Sequence, residues 1–225
     1  MARTTQAGGH GARAVAFAWL AAFVLALFLD RAVATLLAPH FFAMKVSPLL
    51  RAIEYGGRTW MLLVVVALLV LVHPRRWRAA AFVFATCLSS AVLCTVIKWA
   101  VGRTRPVADM LVDIRPFDFD CFRGGLPGLF EQRNLCFPSG HATQVFAMAA
   151  CLALLYLRWR RAWFAAAVVV SLQRVAELAH YPSDVVAGAL LGVLGCTAMA
   201  KLFRMAAPMA GSAAAPLAAG ATAAG

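Results

Sequence analysis

Three short stretches hold side chains that could bind and transfer a phosphoryl group. In Cys136-Phe137-Pro138-Ser139-Gly140-His141, a proline and a serine stand just ahead of a long apolar run. Pro138 suits a position before a helix, and Ser139 is a good N-cap. The first amides of that helix, left uncovered by Gly140, would point at an anion, because unpaired N–H groups and the helix dipole both favour negative charge. His141 adds a titratable group beside that place. In the second stretch, Lys98 and Arg105 stand seven residues apart, so both face one pocket if the helix persists to Arg105. Arg103 between them reads as a cation snorkelling at a membrane boundary. In the third, Arg174 and Glu177 sit inside an apolar run, where ionisable groups are costly and are either functional or paired with each other. His180 and Asp184 flank Tyr181-Pro182-Ser183. An aspartate on one imidazole nitrogen fixes the tautomer and leaves the other nitrogen free to attack.

Together these stretches offer three cations, a helix N-terminus and two histidines. A tetrahedral phosphate needs that set: positive charge for its equatorial oxygens, a nucleophile in line, and an acid for the leaving oxygen. No thiol cluster or carboxylate cage of the kind a metal needs is legible, so neither a metal nor a cofactor is expected.

The elements that must position these residues are apolar. The chain has 225 residues, 63% of them hydrophobic, with 21 Lys plus Arg against 9 acidic groups and a net charge of +12. Soluble domains are not normally so apolar, which makes an all-α polytopic membrane protein the expected fold class. The basic residues cluster in short turns between apolar runs. That pattern fits membrane topology signals and argues against a nucleic-acid partner. Apolar runs over 14–37, 59–72, 79–101, 142–157, 162–179 and 184–203 predict six transmembrane helices. The long polar loop 102–137, with Asp109, Asp113, Asp118, Asp120 and Glu131, falls between the third and fourth, and loops of that length are usually functional.

The first run lacks a cleavage pattern and reads as a retained helix, with Asp30 and Arg31 paired or reaching the interface near its far end. Residues 38–57 mix apolar and basic positions, as an interfacial segment does. Residues 1–13 and 206–225 read as disordered tails flanking a membrane domain at 14–205. Six crossings place both termini on one side with the basic turns 74–78 and 158–161. The positive-inside rule makes that side cytoplasmic, so Lys98, His141, His180 and the loop face the outer, periplasmic side of the cytoplasmic membrane.

The ordered set Lys-x6-Arg-Pro, Pro-Ser-Gly-His and Arg-x5-His-x3-Asp resembles the three-part signature of the type 2 phosphatidic acid phosphatase (PAP2) superfamily, over residues 98–184. The resemblance implies a lipid bilayer around the chain and a lipid phosphate as substrate. Polyprenyl diphosphates such as undecaprenyl diphosphate, phosphatidic acid, phosphatidylglycerol phosphate and phosphorylated lipid A are the implied kinds. It implies that Lys98, Arg105, Arg174, Ser139 and the Gly140 amide bind the phosphate. His180 would be the nucleophile, forming a phosphohistidine, with Asp184 orienting it. His141 would protonate the leaving group and then activate water. Gln173 departs from the family pattern, which usually has serine before the arginine. A lipid-to-lipid phosphotransferase would use the same site. A non-catalytic scaffold is the reading from another class, disfavoured because unpaired buried cations and histidines are costly to keep without use.

Of six cysteines, Cys121 and Cys136 alone lie outside the apolar runs, in the loop assigned to the oxidising side. A disulfide between them is therefore expected, bracing the loop just before the Pro138–His141 stretch.

Overall fold

The computed structural model describes residues 4–108, 111–121 and 131–205; Asp109 and the expected tail 206–225 lie outside the described residues. Helix α1 (Thr4–Leu37) covers the first apolar run. It begins ahead of that run, so residues 4–13, expected as a tail, continue the helix. A 3-10 turn (Ala38–His40) and two short helices, α2 (Phe41–Val46) and α3 (Pro48–Tyr55), follow. Pro48 and the Ser47 hydroxyl, which accepts from the Leu50 amide at 3.5 Å, start α3. The remaining helices are α4 (Thr59–Val72), α5 (Arg76–Val101), α6 (Gly140–Leu155), α7 (Arg160–Ala176) and α8 (Pro182–Leu202).

Among the described residues, three stretches are long and apolar enough to cross a membrane: Arg13–Val46, α5 and α8. The pair α3–α4, bent by 54°, makes a fourth if it is one broken span. Helix α6 is apolar but has 16 residues. At 1.5 Å per residue that is about 24 Å, less than a bilayer core of about 30 Å. The expected six spans thus reduce to three or four by length and composition. The apolar runs at α4, α6 and α7 are short, and α7 opens on Arg160 and Arg161.

Helices α4, α5, α6 and α8 share one core, built on Leu62, Leu69, Phe82, Val83, Cys87, Ala147, Cys151 and Cys196. Within it, α6 and α8 meet backbone to backbone. A Cβ on Gly188 would stand 2.5 Å from the Ser139 carbonyl oxygen, and one on Gly192 2.4 Å from that of Thr143. This four-residue spacing of glycines is how membrane helices approach closely. Its consequence here is that the first turns of α6 and α8 lie together, and the Ser139 amide donates to the Asp184 carbonyl at 2.9 Å.

The polar loop is strapped to itself. Gly102 ends α5 at φ +59, where its amide donates to the Lys98 carbonyl, and a Cβ there would clash with the Asp120 carbonyl. Val107–Ala108 pairs antiparallel with Leu111–Val112. Backbone bonds then join Asp120 to Gly102 (3.3 Å), Arg105 to Arg133 (3.0 Å) and Cys136 to Arg103 (3.0 Å), returning the chain to the head of α6.

Candidate active site

Ser139 caps α6, its hydroxyl accepting from the Ala142 amide at 3.4 Å while its own carbonyl receives the Thr143 hydroxyl at 2.9 Å. Ser139 is fully buried, so its hydroxyl serves the helix cap in this structure. Gly140 follows, and Lys98 crosses over it: its Cε is the nearest atom to a Cβ built there, at 3.9 Å. The Lys98 ammonium donates to the Leu135 and Cys136 carbonyls at 2.5 and 3.5 Å. A cation, a helix N-terminus and bare glycine backbone therefore share one place.

Asp184 stands at the start of α8. Pro182 occupies the first turn, and the Asp184 carboxylate reaches back to the Tyr181 amide at 2.8 Å, as a capping residue three positions in does. His180 sits just before, on a turn that closes α7 through Leu178 at φ +53, a conformation costly for a residue with a Cβ. The His180 Nδ1 is 3.7 Å from Asp184 Oδ2 and 3.6 Å from the Cys136 sulfur. The Cys136 thiol donates to the same carboxylate oxygen at 2.8 Å. Burial, then the Asp184 carboxylate, push that thiol well above its usual range, so it remains a donor. Burial pushes the His180 imidazole well below its usual range, against the pull of Asp184, and keeps it neutral. With Nδ1 turned to the carboxylate, Nε2 is the ring nitrogen left for another partner.

The other Asp184 oxygen belongs to Arg103, which is completely buried and not a snorkelling cation. Its guanidinium also donates to Ser183 Oγ (2.8 Å), to Asp30 Oδ2 (2.6 Å) and to the Pro116 carbonyl (2.6 and 3.0 Å). The Tyr181 and Phe119 rings flank it at 4.3 and 5.0 Å. Asp30 accepts in turn from the Ser183 amide and hydroxyl at 2.9 and 2.5 Å. Asp30 therefore pairs with Arg103, 73 residues away, and not with Arg31. Two carboxylates around one fully bonded guanidinium satisfy the conditions under which a buried ion pair is tolerated.

Arg105 lies within electrostatic reach of Lys98, His141, Arg174 and His180. Helical periodicity does not bring it there, because α5 ends at Gly102 and the loop folds Arg105 back. Arg174 pairs through Nη1 with Glu177 (3.3 Å) and with Glu54 of α3 (3.4 Å), and Glu54 also meets Arg58 at 3.4 Å. His141 packs its ring against Gly57, where a Cβ would be 2.6 Å from it. Among the described residues, the buried Arg105 Nε, Arg174 Nε and His141 Nε2 have no hydrogen-bond partner. They sit on residues within electrostatic reach of one another and are polar atoms of the kind an oxyanion can pair with. A cleft of about 490 Å³ is lined by Arg58, Trp60, Lys98, Gly140, His141 and Gln144.

The structure brings together Lys98, Arg105, Ser139, Gly140, His141, Arg174, His180 and Asp184. It corrects the expected disulfide. Cys121 is exposed and Cys136 buried against Asp184, both as free thiols. It also places donor atoms of Cys136, His180 and Asp184 within 4.8 Å of one another, a grouping the sequence did not reveal, although Arg103 and the Tyr181 amide already occupy the carboxylate. Gln173, at the departing position, is buried with both amide atoms unpartnered. Asp30, Glu54 and Arg103 were missed as site residues, and Cys136 was read as half of a disulfide and not as a partner of Asp184. A charge inside an apolar run was the available signal for Asp30.

A helical chain that gathers these three motifs in one place is of the PAP2 kind. Residues 78–207 match the PAP2 superfamily, and the chain belongs to it. A stretch of 112 residues is 43% identical to the lipid A 1-phosphatase of Rhizobium etli, covering 50% of this chain and 45% of that protein. Over 105 residues it is 38% identical to the Escherichia coli protein named "Putative undecaprenyl-diphosphatase YbjG", covering 44% of this chain and 46% of that one. The matched segment thus spans about half the length of these curated relatives. The crystal structure of Aquifex aeolicus LpxE shares the fold, with a TM-score of 0.52 at 23% identity, over 69% of this chain and 87% of that one.

Proposed function

We propose that the protein is a metal-independent lipid phosphatase acting through a phosphohistidine, with the phosphate on a lipid A-type glycolipid as its substrate. The observation that carries the reading is the set of unpartnered buried atoms on Arg105, Arg174 and His141, together with a His180 whose Nδ1 lies 3.7 Å from the Asp184 carboxylate. Lys98, Arg105, Arg174 and the Gly140 amide hold the phosphate oxygens, and the charge that spreads over them in the transition state strengthens each contact. The fully buried Ser139 supports this place by capping α6. His180 Nε2 attacks phosphorus, the bond to the lipid oxygen breaks, and His141 gives that oxygen a proton. Water then attacks the phosphohistidine, loses its proton to His141 and releases inorganic phosphate.

Lipid A leads because the relative with that activity is the more similar of the two, at 43% identity. Undecaprenyl diphosphate is the second reading, supported by the 38% identical relative. Transfer to another lipid would differ only in the acceptor that replaces water. In the layout we propose, α1, α3–α4, α5, α6, α7 and α8 are the six crossings, with the cradle on the outer side of the cytoplasmic membrane. Phosphate release by the purified full chain decides between substrates. Lipid A carrying a 1-phosphate, undecaprenyl diphosphate, phosphatidic acid and phosphatidylglycerol phosphate are compared in neutral detergent. Fastest release from lipid A is expected, and no release from any of them would contradict the proposal.

A further inference from the structure

A second cavity lies at the opposite end of the helices from the cradle. It measures about 710 Å³, within the range of about 300–1,000 Å³ common for small-ligand pockets. It is wedged between α6, α7 and α8, where Ala153, Phe164 and Ala200 form its walls. Lys201, on its edge, is seventeen residues beyond Asp184 on α8, or about 25 Å along the axis. The phosphate-transfer site cannot account for it.

Three cations, Arg160, Lys201 and Arg204, stand on the edge of this apolar space. All three are exposed, and among the described residues none forms an ion pair. The chain offers them no counter-charge. No Asp or Glu occurs in residues 55–108, 132–176 or 185–225, which include every turn at this end. All nine acidic residues belong to α1, α3, the polar loop or the cradle. Arg78 fixes the local backbone by donating to the Phe203 carbonyl at 2.5 Å and that of Arg204 at 3.4 Å. Arg204, at φ +48, follows on a left-handed turn. An apolar recess with a basic rim between membrane helices matches an anionic lipid, acyl chain inside and headgroup at the rim.

We infer that the cavity bounded by Arg160, Lys201 and Arg204 binds an anionic glycerophospholipid of the membrane leaflet opposite the cradle. The occupant is a diacyl lipid with a phosphodiester headgroup, distinct from the substrate. The binding does not depend on the catalytic reading, since neither the cations nor the cavity walls touch the cradle.

The test is native mass spectrometry of the full chain in neutral detergent, titrated with dioleoyl phosphatidylglycerol or dioleoyl phosphatidylcholine. Excess inorganic phosphate occupies the cradle throughout. One tightly retained phosphatidylglycerol is expected, with phosphatidylcholine retained at least about tenfold less, as three nearby cations require. The combined Arg160→Gln, Lys201→Gln and Arg204→Gln variant should lose that preference, and Ala153→Phe should lose retention of both lipids by filling the wall. Should Ala153→Phe fail to fold, the triple variant still decides, because its side chains are exposed. Equal retention of the two lipids by the wild type, or undiminished phosphatidylglycerol on the triple variant, overturns the inference. So does a wild type that retains neither, which would mean that the chain itself covers the cavity.

Discussion

Arg103 holds the Asp184 carboxylate, to which we assign the orienting of His180, and it does so from a fully buried position shared with Asp30. Removing one partner of a buried ion pair strands the others, at about 3–5 kcal/mol. Arg103→Ala should therefore lower the unfolding free energy by about that amount, seen as an earlier thermal midpoint in detergent. Arg103→Lys keeps the charge but cannot span Asp30, Ser183 and Asp184 at once. It should stay folded with strongly reduced turnover, and wild-type turnover there would remove Arg103 from the positioning role. His141, with Nε2 unpartnered, carries a different expectation. His141→Ala should be severe on lipid substrates and partly recover on a phosphate ester with a good leaving group, which needs less protonation. Equal loss on both would count against His141 as the acid. The eight residues gathered at the site were legible as a group because they stand in the ordered motifs that carry the PAP2 resemblance. Arg103 was not, because an arginine near a helix end looks alike in sequence whether it snorkels or pairs with a carboxylate 73 residues away.

At the scale of elements, the cradle depends on α6 and α8 starting side by side. Gly192 permits this, since a Cβ there would meet the Thr143 carbonyl oxygen at 2.4 Å and the Ala147 amide at 2.6 Å, both backbone atoms. Gly192→Ala should push the helices apart and destabilise the protein by about 1–3 kcal/mol. Turnover should fall with it, because the Ser139–Asp184 backbone bond joins the two helix heads. Thermal unfolding and phosphate release, measured on one preparation, check both. Apolar runs located the helices correctly, while their junctions escaped. Lys98 and Arg105 were expected on one helical face, yet Gly102 ends α5 and the loop folds Arg105 back to the cradle. Periodicity describes a helix only up to its cap. Glu54 escaped for a related reason, since nothing in residues 38–57 announces that α3 will press against α7 and reach Arg174.

For the whole molecule, orientation follows from charge. The acid-free basic turns at one end support the layout we propose, with the cradle on the outer face. Cys121 is the one exposed thiol among the described cysteines, so it should react with a membrane-impermeant maleimide on intact spheroplasts. Labelling only after lysis would reverse the orientation. The number of crossings was the least legible feature at this scale, because the 16 residues of α6 are apolar enough but short, and α3–α4 bends by 54°. The most direct measurement of the central claim is acid-free rapid quench of the purified chain with lipid substrate, followed by mass spectrometry of its peptides. Phosphate on His180 in the wild type, absent from His180→Ala together with turnover, is the predicted result. Turnover with the phosphate on another residue, or persisting in His180→Ala, would contradict it.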